Sequence, residues 1–472
     1  MKDSGKISAT LACAALAALL LGACSGSAGP STAGSTVDNS TPPPSTPSTP
    51  SAPDQPDAPI FNGTPTATLA CNWRVANGTP EADTPAGALR WGYLDLAAGY
   101  YQVILSPSFP LGTRFQFDGQ YPAARNFSYQ LYNGGSQELA ELPDYEVVPD
   151  SGSQSPFNGV NTVNTSIPSG GHYTVYLEYN AKPANPAANT IYLDPSQITT
   201  LNQVVLVYRV YNAFNGITVA EHGGVPLPTA YEVTTQGLET LASIDNTLLC
   251  DAGIGARDTE RRTFSAGSDI LNSQPQRPGA IPAQPVPAPP AFILRDSTGD
   301  ILVNEDNRYM YAELSQTAGD LVLMRVRAPS FATQPGVGPD PQMRHWSLCE
   351  NAMLSAETYS CVEDTDATLD TGGFFNVVIA VASKRPANAT AQYGFNWLAY
   401  GTTDVGFPIF RHMLPSPDFT QSAFSVPVGA APQATMGDYF PVTTYCSNVV
   451  FAAHTQAGDT PAQVFAGCQA GQ

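Results

Sequence analysis

Two stretches of this 472-residue chain repeat one another in order, which limits the fold to one unit built twice. Arg125-Asn126-Phe127-Ser128-Tyr129 lies opposite Arg344-His345-Trp346-Ser347-Leu348. Gly170-Gly171-His172-Tyr173-Thr174-Val175 lies opposite Gly372-Gly373-Phe374-Phe375-Asn376-Val377. Pro183-Ala184-Asn185 matches Pro386-Ala387-Asn388, and Asn189-Thr190 matches Asn396-Trp397. Val207-Tyr208-Arg209-Val210 matches Ile409-Phe410-Arg411-His412, and most offsets are about 202 residues.

Each copy reads as strands. Phe127, Tyr129 and Leu131 alternate with Ser128 and Gln130; Tyr173, Val175 and Leu177 alternate with Thr174, Tyr176 and Glu178. Period-two runs rich in aromatic and branched residues mark antiparallel strands with one buried face. Closely spaced strands with Pro, Gly and Asn turns favour sandwiches over parallel sheets. The expected class is all-β: two tandem homologous jelly-roll-like β-sandwiches with a few short helices. A hairpin is expected at Phe292–Val303, a helix at Gly237–Leu249, and a shorter helix starting at Ser416-Pro417.

The ends and joints differ in composition. Residues 1–23 read as a signal peptide, with Lys2 and Lys6 before an apolar run too short to span a bilayer. Leu21-Gly22-Ala23-Cys24 resembles the lipobox of bacterial lipoproteins, which implies cleavage before Cys24 and acylation of its thiol. Residues 24–60 are almost all Ser, Thr, Pro, Ala, Gly and Asp, so they are expected to form a disordered tether. Extended, it would reach on the order of 100 Å. Two sandwich domains, residues 61–273 and 291–472, are expected on either side of a Pro-rich connector at 274–290. The expected location is the cell envelope, lipid-anchored (to the outer membrane in a Gram-negative host), with the body in the periplasm or at the cell surface.

Twenty Lys and Arg against 40 Asp and Glu give a net charge of −20, which excludes an electrostatic footprint for nucleic acid. Leaving aside Cys13 in the signal and Cys24, six Cys remain, an even number that suits disulfides in an exported protein. The expected pairs are Cys71–Cys250, closing one domain, and the local loops Cys349–Cys361 and Cys446–Cys468. No CxxC and no zinc-spaced Cys/His cluster occurs, so no metal and no cofactor is expected.

The string Arg344-His345-Trp346-Ser347, Asp370-Thr371-Gly372-Gly373, Arg385-Pro386-Ala387-Asn388, Asn396-Trp397-Leu398-Ala399 and Phe410-Arg411-His412-Met413-Leu414-Pro415 is similar to the sandwich module of the domain-of-unknown-function 1214 family. Ala399 stands where that pattern usually has Pro, and the Cys349–Cys361 segment is extra. The resemblance covers roughly 90 residues of the second copy, more faintly the first. It implies a jelly-roll-like fold and assigns no catalytic residue.

Local catalytic motifs are missing: there is no G-x-S-x-G, no H-E-x-x-H and no phosphate-binding glycine loop. Triads and carboxylate pairs assembled across distance are not excluded by that. Arg125/Arg344 and Arg209/Arg411 repeat, which points to a fold role in pairing a carboxylate or carbonyl. His345 and His412 occur in one copy only. With Arg344, Arg411 and Trp397 they form the candidate binding set. Trp346 is expected in the core. Asp364 to Asp370 reads as a solvated turn, with a calcium loop as the sharper reading.

Three functions fit. The leading one is a lipid-anchored envelope protein with a noncatalytic binding or structural role, its partners being the membrane and an envelope protein or glycan. The second is a secreted enzyme acting on a glycan or other polymer at the cleft between the sandwiches. The third, a transport-associated binder, requires a deep small-ligand pocket.

Overall fold

In the first copy the strands are β1 (Arg74–Val75), β2 (Ala98–Leu105), β3 (Arg114–Gln120), β4 (Ala124–Asn133), β5 (Glu138–Pro143), β6 (His172–Glu178), β7 (Thr190–Tyr192), β8 (Val204–Ala213), β9 (Thr229–Thr234) and β10 (Gly237–Thr240). The second copy holds β11 (Ile293–Leu294), β12 (Asn307–Tyr311), β13 (Leu314–Ser315), β14 (Leu321–Arg327), β15 (Met343–Asn351), β16 (Thr358–Glu363), β17 (Phe374–Ala380), β18 (Asn396–Ala399), β19 (Val405–Gly406), β20 (Ile409–Pro415) and β21 (Val442–Cys446). These come from a computed structural model. It describes residues 74–75, 93–105, 109–133, 137–198, 204–217, 221–234, 237–240, 290–294, 303–353, 358–401 and 405–471. The signal, Cys24, the tether, Cys71, Cys250 and residues 274–289 of the connector lie outside the described residues.

The duplication is visible in the strand order. One sheet of the first copy runs β1-β2-β8-β4-β5; its counterpart runs β11-β12-β20-β15-β16. The facing sheets run β10-β9-β3-β6-β7 and β21-β14-β17-β18, and β13 and β19 form a separate two-stranded sheet. Among the described strands, the one parallel strand pair of each copy recurs, β6 with β7 and β17 with β18. Register agrees to the residue. Ser128 faces Arg209 and Ser347 faces Arg411; Tyr176 faces Thr190 and Val378 faces Trp397. Asn212 and Leu414 both take positive φ, 48° and 44°, and both donate their N–H to the carbonyl of a matched residue, Ala97 or Asp306. A leucine in that left-handed region is strained, so the bend belongs to the fold and not to the side chain.

Each sandwich closes over its own core. In the first copy Phe117, Phe127, Tyr129, Tyr173 and Tyr208 pack between the sheets; in the second, Met324, Trp346, Phe375, Val377 and Phe410 do so. Trp346 is 1% exposed, as expected of a core residue. The alternation read from sequence is only half the account, because β4 and β15 are buried at every position. Ser128 and Gln130 are at 0% exposure. Their face of the sheet meets the other sandwich instead of water. All described residues belong to one compact unit, Gln55–Gln472, with the two inner sheets back to back along a polar seam.

The outer faces differ for a reason written in the residues. On the first copy's outer sheet, Arg114, Gln116 and Asp118 alternate outward; the matched positions of the second are Leu321, Leu323 and Arg325. That apolar face needs a cover. Helices Asn448–Gln456 and Pro461–Ala470 supply it, placing Phe451, Val464 and Phe465 over Leu321, Leu323 and Val378. The Cys446–Cys468 disulfide ties the second helix to the sheet, and Cys349–Cys361 cross-links β15 to β16. Among the described residues no helix is long and apolar enough to cross a membrane.

Two local expectations are corrected. Residues 237–240 form strand β10 and not a helix start, because Gly237 (φ 131°) turns the chain back to pair with β9. Ser416-Pro417-Asp418 is a turn: the N–H of Phe419 closes back on the Ser416 carbonyl, and the next helical turn is a short 3-10 segment at Ala423–Ser425. Ile293-Leu294 pairs with Met310 and Tyr311, and residues 295–302 of the expected hairpin lie outside the described residues. The Val303 carbonyl is drawn into the seam, where it accepts from the Tyr132 hydroxyl at 2.5 Å.

Candidate functional site

The groups richest in chemistry meet in the seam. Arg125 on β4 presents both Nη atoms to the Asp364 carboxylate, each at 2.6 Å. Arg344, its counterpart on β15, donates to Asp144 Oδ2 at 2.9 Å. Asp144 follows β5 and Asp364 follows β16, so each copy's arginine reaches the other copy's aspartate. The contact is reciprocal, as in an isologous dimer. Each aspartate also accepts a backbone N–H of its own copy at 3.1 Å, from Phe127 or Trp346. Each guanidinium lies over a partner ring, Phe331 or Phe157.

The two pairs are not equal. Arg125 and His345 hold Asp364 below the ordinary carboxylate range although burial opposes this. Arg344 spends Nε and Nη2 on the Gly159 and Val160 carbonyls. Burial therefore outweighs Arg344 at Asp144 and lifts its carboxyl to about 6.

Where Asn126 stands in the first copy, the second has His345, fully buried. Its Nδ1 lies 2.9 Å from Asp364 Oδ2 and 3.1 Å from the Asn212 amide. Its Nε2 lies 3.2 Å from Asp95 Oδ2 and 3.4 Å from Glu363 Oε2. Burial disfavours charge on this ring, but Asp364 and Asp95 outweigh it and hold the pKa above the usual value. Burial likewise works against Asp95, yet His345, Arg411 and Ser347 keep its carboxyl low. Burial, Asp95 and Asp364 push Glu363 well up.

At the other end of the seam, carboxyls crowd around one cation. Burial and the neighbouring Glu141 raise Glu138 to about 8; burial and Glu305 raise Glu141 to about 7. Burial, Glu141 and Asp144 raise Asp306 well above its ordinary value. Arg209 opposes these shifts at Glu138 and Glu141, and it lies over the Tyr100 and Tyr132 rings.

Of the five candidate binding residues, four are withdrawn from any surface. Arg344 and His345 are seam residues at 0% exposure, and Arg411 at 3% donates to the Tyr93 carbonyl. His412 is buried against Phe410, accepts from the Ala423 N–H, and is held neutral by burial, its pKa lowered to about 3. The fold needs them there because β15 and β20 are central strands covered on both faces. Trp397 alone is partly open, with Arg385 over its ring at 4.9 Å.

Asp364 and Asp370 do not share a calcium loop. Asp364 serves the seam, whereas Asp370 pairs with Arg325 at 2.7 Å and accepts from the Gly372 and Phe374 N–H groups. A cavity of about 370 Å³ opens elsewhere, between Gln316–Asp320, Lys384, Tyr445, Ser447 and the C-terminal helices. It holds an exposed Asp320–Lys384 pair at 3.2 Å. Asp95, Asp306 and Glu363 carried no local motif. Asp144 and Asp364 did carry a signal, since each follows its copy's arginine at nearly the same spacing.

No family model matches the chain, and no curated protein matches it. Among solved structures it is similar to an uncharacterised protein of Burkholderia cenocepacia, at 13% identity over 74% of this chain and 80% of that one, TM-score 0.43. A Vibrio parahaemolyticus protein is similar at 10% identity over 75% of this chain and 89% of that one, TM-score 0.33.

Proposed function

We propose that the chain is an exported, lipid-anchored envelope protein whose paired sandwiches form one stiff body in a noncatalytic binding or structural role. The observation that carries the noncatalytic reading is the sealed seam. His345 and the carboxylates around it, Asp95, Asp144, Glu363 and Asp364, are at 8% exposure or less, out of reach of a polymer substrate. Catalytic groups need access to the reacting atoms, and these have none. The acidic surface and the Pro-rich tether suit a body held off a membrane. Leu21-Gly22-Ala23-Cys24 supports the anchor.

Fractionation of cells expressing Cys24→Ser tests the anchor. Release of the variant into the soluble fraction is expected; membrane retention equal to the wild type would overturn this reading. An enzyme with its site in the seam would require that seam to open, and turnover of a glycan by the purified body would favour that second reading.

A further inference from the structure

The two ends of the seam share a fold but are closed by different chemistry. Gln130 and Glu141 face one another across β4 and β5, at the register where β15 and β16 carry the Cys349–Cys361 disulfide. Glu138 stands where the second copy has Thr358, and Asp306 where the first has Ala97. One end is therefore cross-linked, and the other sets carboxyls at the matched places. These carboxyls come from both copies. Glu138 and Glu141 lie on β5, and Glu305 and Asp306 on the segment that enters β12. Hydrogen bonds hold that segment to the first copy. The Gln130 amide donates to Asn304 Oδ1 at 2.7 Å, the Asn304 amide to the Tyr211 hydroxyl at 3.4 Å, and the Tyr132 hydroxyl to the Val303 carbonyl.

Charge decides whether this end stays shut. Both oxygens of Glu138 are buried without a hydrogen-bond partner. Glu138 faces Glu141 on its own strand and Glu305 and Asp306 across the seam, with Arg209 of β8 opposing them and Tyr132 of β4 beside it. Asp306, at 2% exposure, faces Glu141, Asp144 and Tyr145 against Arg344 and the Asn126 amide. Glu141 faces Glu305 and Glu146 against Arg209 and the Gln130 amide. Protonated carboxyls can share this space; ionised ones repel and call for water. Burial and these neighbours keep the proton on Glu141 and Glu138 up to about 7 and about 8. Asp364, held low by Arg125 and His345, stays ionised and paired over the same range.

We propose that this end of the seam is a latch that opens as pH rises: residues 303–307 part from β5 when the facing carboxyls lose their protons to solvent, while the Arg125–Asp364 pair keeps the sandwiches joined. The latch concerns the body alone and does not depend on the lipid anchor.

Hydrogen exchange of the full chain tests this, read by mass spectrometry at about pH 6 and about pH 8.5 as protection relative to the unfolded rate at each pH. The Asp306, Asn307 and Leu414 amides donate to Asn304 Oδ1, the Asn304 carbonyl and the Asp306 carbonyl. Their protection should fall at least about 10-fold at the higher pH, since each tenfold of proton affinity lost on opening is a tenfold in the opening equilibrium. The Trp346 amide, which donates to Asp364, should keep its protection. The double variant Glu138→Gln with Glu141→Gln, which keeps the protonated shape, should hold the segment shut at both pH values. Unchanged wild-type protection at Asp306 and Asn307 would overturn the latch. An equal fall at Trp346 would overturn it too, by showing that the whole seam loosens, as would a folded double variant that opens like the wild type. Should the double variant fail to fold, the wild-type comparison of the two ends still decides.

Discussion

Glu138 shows how a single residue carries the seam's electrostatics. It faces Glu141, Glu305 and Asp306 with only Arg209 in opposition, and its carboxyl sits at about 8. A carboxyl raised on folding binds its proton more tightly in the native state. Its contribution to stability is complete below the unfolded value and is lost as pH rises through the folded one. Glu141, at about 7, acts in the same direction. Asp364, which is held low, acts in the opposite sense and only in acid. Melting temperature should therefore fall between about pH 5 and pH 8. Glu138→Gln should flatten that fall and melt higher at the alkaline end. An unchanged slope in the variant would show that Glu138 does not carry it.

At the scale of elements, one half of the pattern was plain in the sequence and the other was not. Phe127, Tyr129 and Leu131 announced a buried face, and Arg125/Arg344 announced a repeated one. Ser128 and Gln130 read as solvent-facing because period-two alternation cannot distinguish water from a second polar sheet. Only the contacts of Gln130 with Asn304 and of Arg125 with Asp364 decide that. The C-terminal helix was legible in principle. Thr460 caps it, Gln463 returns the bond, and Pro461 opens the first turn. Its purpose was not, since Leu321 and Leu323 look like core until the inner sheet claims that role. Thr460→Ala removes one half of the capping box and should cost about 1 kcal/mol in chemical denaturation. No loss would mean that the Cys446–Cys468 bridge alone holds the helix.

For the whole molecule, the duplication does more than repeat a fold. Each copy supplies an arginine on its fourth-position strand and an aspartate beyond the next, and these complete one another only when the copies meet. A charge buried without its partner is far more costly than the pair is stabilising. The seam therefore favours the docked arrangement over either sandwich alone. The pairing was half legible, as repeated arginines with a carboxylate or carbonyl to find. That the carboxylate belongs to the other copy is a property of docking, which no single copy encodes. A double-mutant cycle on Arg125→Met and Asp364→Asn, read by urea unfolding of the full chain, tests this most directly. A coupling above about 1 kcal/mol between the two substitutions is expected. Additive effects, within about 0.5 kcal/mol, would contradict a seam held by reciprocal pairs.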